Sequence, residues 1–258
     1  MMGAIAGDVI GSIYESVPIK STAFPLFDEG CRFTDDTVLT VATAWAILRR
    51  ESFETAYLEF GRRYPWAGYG ARFYDWLRME VPRPYNSLGN GSAMRVSPVA
   101  FAFDDEHSVL REAEASAIVT HNHPEGVKGA QAVALAAFKA RAGASKDDIR
   151  HAISSEFAYD LDRTVHEIRA DYAFDVTCLG SVPEAIVAFL ESSDVEHAIR
   201  LAISLGGDSD TQAAIAGAIA YAFYGEIPDR ITHQVRARLP TEFVEIIDEF
   251  NDRFPVRR

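Results

Sequence analysis

The 258-residue chain is short of cysteine, of basic residues and of long apolar runs, and each shortage removes a class of function. Its two cysteines, Cys31 and Cys178, have no ligand-type pairing around them, so neither a disulfide framework nor a thiolate metal site is expected. Lysine and arginine total 25 against 38 acids, a formal net charge of −13, which leaves no broad basic face for duplex nucleic acid. An anionic small ligand remains compatible with that charge if its site supplies local cations. The apolar opening MMGAIAGDVIGSIYE has no basic segment before it and is interrupted by Asp8 and Glu15. It therefore reads as neither a secretory signal nor a membrane span, and the cytoplasm is the expected compartment. Period-two alternation of the kind strands require is also missing.

What the chain does have is helical periodicity almost everywhere. Val38, Val41, Ala42, Trp45 and Leu48 recur at spacings of three and four, and Arg49 and Arg50 close that segment favourably for the helix dipole. The windows 128–142, 181–191, 194–205, 211–224 and 241–250 repeat the pattern. Pro183 and Pro228 read as lying near helix starts, and Gly225 as a stop. The expectation is an all-α fold of roughly a dozen short helices, at ordinary helix lengths. Without an internal repeat or linker, residues 1–258 read as one domain, expected to be monomeric. The stretch 64–92, rich in Gly, Pro, Tyr and Trp, reads as a long structured loop containing a short helix.

Two acidic clusters stand at predicted helix starts. Thr34, Asp35 and Asp36 precede one apolar segment, and Asp208, Asp210 and Thr211 precede another in GGDSDTQAAIAGAIAYAFYG. One Asp or Thr suffices to cap a helix, and a second adjacent carboxylate adds repulsion. A hard divalent cation removes the conflict, because carboxylates and threonine hydroxyls are the ligands Mg²⁺ and Mn²⁺ take. Two matched clusters point to two metals, which in such sites sit about 3.5–4 Å apart. Other helical metal enzymes fit poorly. Asp36 is followed by Thr37, Val38 and Leu39, so the D-D-x-x-D pattern of isoprenoid synthases is absent, and no His-Asp dipeptide occurs. Gly3, Gly7 and Gly11, spaced by four, suit close helix packing better than a dinucleotide fingerprint, which needs a preceding strand.

The motifs GAIAGDVIGSIYES, FTDDTVLT, GNGSAMRVSPVAF, THNHPEGVKGAQAVA, SVPEAIVAFL and the 206–225 segment, in that order, resemble the ADP-ribosylglycohydrolase family. The resemblance implies an all-α orthogonal bundle with two divalent cations, Mg²⁺ or Mn²⁺, in a cleft. It assigns Thr34, Asp35 and Asp36 to one metal-binding group and Asp208, Asp210 and Thr211 to the other. Glu15 matches the family's mobile glutamate, and with Asp35, Asp36 and Asp210 it forms the implied catalytic set. Gly89, Asn90, Gly91 and Ser92 match the segment that receives the diphosphate and distal ribose, and a glycine-rich turn also suits an anion on physical grounds. His121 matches a histidine lining the ADP-ribose cleft. Arg95 has a structural reading beside a binding one, His123 reads as a loop residue, and Asp8 has both a metal-supporting and a capping reading.

Before the SVPEA segment, where relatives often carry an aromatic that stacks on adenine, this chain has DVTCLG. Tyr172, Phe174, Tyr69, Phe73 and Tyr85 are the neighbouring candidates. The expected activity is metal-dependent cleavage of the bond between ADP-ribose and an acceptor, such as a protein Arg or Ser side chain. The alternatives are a non-catalytic ADP-ribose-binding relative, and a hydrolase of a free derivative such as O-acyl-ADP-ribose.

Overall fold

Helix α13 (Ser209–Tyr224) runs through the middle of the molecule, buried from Ser209 to Ala220 on every face, as an interior helix must be. The computed structural model describes residues 1–256. Before α13 come α1 (Met2–Gly11), α2 (Asp35–Arg49), α3 (Phe53–Arg63), α4 (Ala71–Leu77), α5 (Gly91–Met94) and α6 (Ser97–Ala102). These are followed by α7 (Glu106–Ile118), α8 (Pro124–Arg141), α9 (Lys146–Phe157), α10 (Val165–Asp171), α11 (Cys178–Glu191) and α12 (Val195–Ile203). The chain closes with α14 (Asp229–Arg236) and α15 (Thr241–Arg253). The described residues contain no strand, only an isolated bridge between Gly89 and Thr177. The fold is therefore all-α. It exceeds the expected dozen helices because α4, α5, α6 and α10 are pieces of four to seven residues, too short to announce themselves by periodicity.

Helix α1 is buried along its whole length and lies directly against α13. The glycines spaced by four make that approach feasible. A Cβ on Gly3 would collide with the Gly217 carbonyl, one on Gly7 with the Ala213 carbonyl, and one on Gly11 would sit 2.6 Å from the Asp210 Cα. The stripe serves helix contact, and it brings Asp8 of α1 beside the N-termini of α2 and α13.

Helix ends follow their local chemistry. Thr34 caps α2 by accepting from the Asp36 N–H at 3.3 Å, and Gly225 takes the left-handed conformation, φ 78°, that stops α13. One expectation needs correction. Pro183 lies inside α11 and not near its start, because Thr177 caps the helix earlier, accepting from the Gly180 N–H at 3.0 Å. The proline removes the bond to the Leu179 carbonyl, at a turn whose Leu179 side chain is exposed. Glu15 also differs slightly in setting: α1 ends at Gly11, so Glu15 is carried by the following turn.

Candidate functional site

The buried carboxylate of Asp8 is the hub from which the site is built. It accepts from the Thr34 N–H at 3.0 Å, the Thr34 hydroxyl at 2.7 Å and the Thr37 N–H at 3.1 Å, and also from the Thr37 hydroxyl. Each of these donors belongs to the first turn of α2 or the residue capping it. Because Thr34 gives its proton to Asp8 and one lone pair to the Asp36 N–H, a second lone pair is left, as a metal-ligating hydroxyl requires.

Asp35 and Asp36 open α2, while Asp208 is the residue before α13 and Asp210 lies in its first turn. Asp208 makes no side-chain cap bond, so helix capping does not explain it. Instead its Oδ2 accepts from the Asn90 amide at 2.8 Å. Asp36 Oδ2 is buried with no hydrogen-bond partner. Oxygen atoms of Glu15, Asp208 and Asp210 lie within 4.8 Å of one another, a group able to hold a metal ion. The Thr211 hydroxyl is close enough to Asp36 and Asp208 to favour their charged forms.

The electrostatics express the conflict that two clusters create. Burial, then repulsion from Asp8, raises Asp35 to about 8, and the same causes raise Asp36 well above the carboxylate range. Asp210 is likewise pushed well up by burial and by Asp208 and Asp36. Burial raises Asp208 despite its hydrogen bonds. Exposed Glu15 is raised by partial desolvation and by Asp208, with Arg32 acting against them. Metal-free, these oxygens hold protons or repel one another. The donor set of carboxylates, hydroxyls and an orphaned buried oxygen fits hard divalent cations.

The acids occupy one part of a cleft of about 420 Å³, which Glu15, Thr34, Asp35, Asp36, Asp208, Asp210 and Thr211 all line. Gly89, Asn90, Gly91 and His121 also line it. Their loop is pinned to the segment before α11 by Asn90 N–H donating to the Val176 carbonyl at 2.8 Å and Cys178 N–H to the Leu88 carbonyl at 2.9 Å. The His121 ring packs over the loop, and a Cβ on Gly91 would lie 3.1 Å from His121 Nε2. Ser92 is the exception among the expected binding residues. Its buried hydroxyl donates to the Gly126 carbonyl at 2.7 Å, tying α5 to α8 away from the cleft.

Arg95 is fully buried, with its guanidinium 4.1 Å from the centre of the Tyr57 ring. It donates to the Ser116 carbonyl and the Thr120 hydroxyl, both at 2.9 Å. His123 caps α8 by accepting from the Glu125 N–H at 3.1 Å. Among the aromatic candidates, Phe73 and Tyr85 line the cleft. Tyr69 stacks on Phe73, Tyr172 donates to the Gly180 carbonyl at 2.6 Å, and Phe174 is exposed.

Among the cleft residues that the sequence did not single out are Arg32, Trp66 and Arg72. Arg32 sits two positions before Thr34, and Arg72 lies over the Tyr85 ring at 4.9 Å. The two arginines add positive charge to a cleft also lined by carboxylates. Only the clustering of aromatics in 64–74 hinted at Trp66.

Comparison with known proteins agrees with this geometry. The ADP-ribosylglycohydrolase family model matches residues 1–258. The chain is 28% identical over 311 residues to the ADP-ribosylhydrolase ARH3 of Mus musculus, covering 89% of this chain and 84% of that protein. It is 27% identical over 263 residues to the ADP-ribosylarginine hydrolase Tri1 of Pseudomonas putida (strain GB-1), covering 87% and 69%. A solved structure described as an ADP-ribosylglycohydrolase-related protein complex superposes with TM-score 0.76 at 25% identity, over 98% of this chain and 95% of its own. The chain belongs to the ADP-ribosylglycohydrolase family and is a glycosidic-bond hydrolase. No helix among the described residues is long and apolar enough to cross a membrane.

Proposed function

We propose that the chain releases ADP-ribose from an acceptor in a reaction that depends on divalent cations bound between the N-termini of α2 and α13. The observation that carries this reading is the convergence of Asp35, Asp36, Asp208 and Asp210 in one cleft, with a buried unpartnered oxygen on Asp36. Thr34, Asp35 and Asp36 would hold one cation, and Asp208, Asp210 and Thr211 a second. Bound there, Mg²⁺ or Mn²⁺ supplies Lewis-acid charge for ribose hydroxyls and for the attacking water.

The chain's own groups do the rest. Gly89, Asn90 and Gly91 offer a close backbone approach for the diphosphate, with Arg72, stacked over Tyr85, contributing charge to the same cleft. Tyr85, Phe73 and Val176 offer the apolar surface for adenine. Glu15, raised from its ordinary value by partial desolvation and by Asp208, handles the proton that leaves with the acceptor or arrives with water. Its position on a turn, outside any helix, allows it to move as substrate enters. Residues 1–258 act as a single catalytic domain in this reading.

Incubating the wild type and an Asp210→Ala variant with peptides ADP-ribosylated on serine or arginine, and with O-acyl-ADP-ribose, tests the reading and names the acceptor. Release of ADP-ribose from one substrate class by the wild type alone supports it. Equal release by the variant, or none from any class, contradicts it.

A further inference from the structure

Three buried groups form a chain that ends at the glycine loop. Arg95 Nη2 donates to Thr120 Oγ1 at 2.9 Å, and that same oxygen is 2.7 Å from His121 Nδ1. A guanidinium has no acceptor, so the Thr120 oxygen accepts from Arg95 and its single proton is free to reach Nδ1 or the Tyr85 phenol beside it. A neutral imidazole that accepts at Nδ1 carries its proton on Nε2. That nitrogen faces the loop, since Cβ atoms built on Gly91 and Gly89 would lie 3.1 and 3.6 Å from it. Resting on the reading of the cleft as an ADP-ribose site, we propose that Thr120, held by Arg95, is a positioning residue that fixes His121 as an Nε2–H donor to an anionic oxygen of the ligand.

Two further observations agree. Burial, with Arg95 and Arg72 nearby, keeps His121 well below its usual pKa and therefore neutral, the state in which a tautomer has meaning. Arg95 Nε and Nη1 have no hydrogen-bond partner among the described residues, and Arg95 lines the cleft. Its buried charge is met by the Tyr57 ring and two neutral oxygen acceptors, with no carboxylate in an ion pair with it among the described residues. Turned the other way, the Thr120 proton would face the Tyr85 phenol, and His121 would carry its proton on Nδ1.

Nitrogen-15 NMR of the imidazoles, with His121→Gln assigning the signal, reads the tautomer directly in the free protein. The relay predicts a pyridine-type Nδ1 and a pyrrole-type Nε2 in the wild type and in Thr120→Ser. Thr120→Val keeps the shape but removes the proton. It should give a mixed tautomer and raise KM about tenfold or more with little change in kcat, the pattern of lost uniform binding through one hydrogen bond. Thr120→Ser should keep KM near that of the wild type. An Nδ1–H tautomer in the wild type overturns the relay whatever the affinity. So does an unchanged KM in Thr120→Val, or an equal loss in the serine variant. A wild-type chain that binds no ADP-ribose refutes the function read from the cleft and leaves the tautomer result to judge the relay by itself.

Discussion

The Asn90 side-chain amide donates to Asp208 Oδ2 at 2.8 Å, so the glycine loop and the acidic turn before α13 are joined by one hydrogen bond. The same amide also donates to the Ser181 hydroxyl at 3.2 Å, which fixes the loop against α11. Replacing Asn90 with Ala frees Asp208 and loosens the loop together. Since a hydrogen bond to a charged group contributes roughly 1.5–3 kcal/mol, affinity for ADP-ribose should fall about tenfold or more, with helical content retained. Calorimetric binding checks this, and an unchanged affinity would show that the two regions work independently.

Asp8→Asn separates fold from metal binding. An amide at this position can still accept from the Thr34 and Thr37 backbone N–H groups, but its NH₂ turns the Thr34 hydroxyl into an acceptor. The lone pair intended for a cation is then consumed. Removal of a buried charge should leave the metal-free protein at least as stable as the wild type. Divalent-cation affinity should fall about 10–100-fold, as is usual for losing a partner that orients a ligand. Unaltered metal affinity in a folded variant would remove Asp8 from the account.

How much of this was legible beforehand follows from the range of the forces involved. Thr34, Asp35, Asp36 and the Asp208–Thr211 turn declared themselves because capping chemistry and like-charge repulsion act within a few residues. The glycine stripe of α1 was readable for the same reason, as a period-four pattern. Arg32, Trp66 and Arg72 were not, because only the course of the 12–34 and 64–78 segments brings them to the cleft. Pro183 misled, since proline favours a first turn on average, whereas the Thr177 cap decided the matter locally. Ser92 read as a ligand residue by its neighbours, yet its hydroxyl is committed to the Gly126 carbonyl.

Glu15→Gln tests proton handling. The glutamine keeps size and position but cannot exchange a proton at the pH of the assay. Turnover should drop about 10²–10⁴-fold, the usual range for losing a general acid or base. ADP-ribose affinity should change far less, because the loop and the acidic clusters are intact. Near-normal turnover would reduce Glu15 to an exposed turn residue.

The pH dependence of metal-free stability reports the buried carboxylates. Asp35 is raised from 3.8 to about 8 in the folded chain, so it favours folding below its ordinary value and that contribution is lost as pH rises toward 8. Asparagine does not titrate. In a chelator, the melting temperature of Asp35→Asn should therefore gain on the wild type progressively between pH 5 and 8, a window bounded by that shift. Titrating groups remote from Asp35 are common to both chains and cancel, and loss of the Asp35 charge relieves Asp36 in the same direction. Saturating Mg²⁺ should reverse the order by stabilising the wild type through binding. A gap that narrows with rising pH would contradict the raised value.

The central claim is that the two acidic turns work by holding divalent cations, and the most direct measurement is ADP-ribose release by metal-stripped protein. The wild type, dialysed against chelator and assayed on its best substrate, should be inactive. Stepwise addition of Mg²⁺ or Mn²⁺ should restore turnover saturably, and the same additions should leave Asp210→Ala inactive though folded. Undiminished turnover by thoroughly stripped wild type, with no response to added cation, would contradict the account.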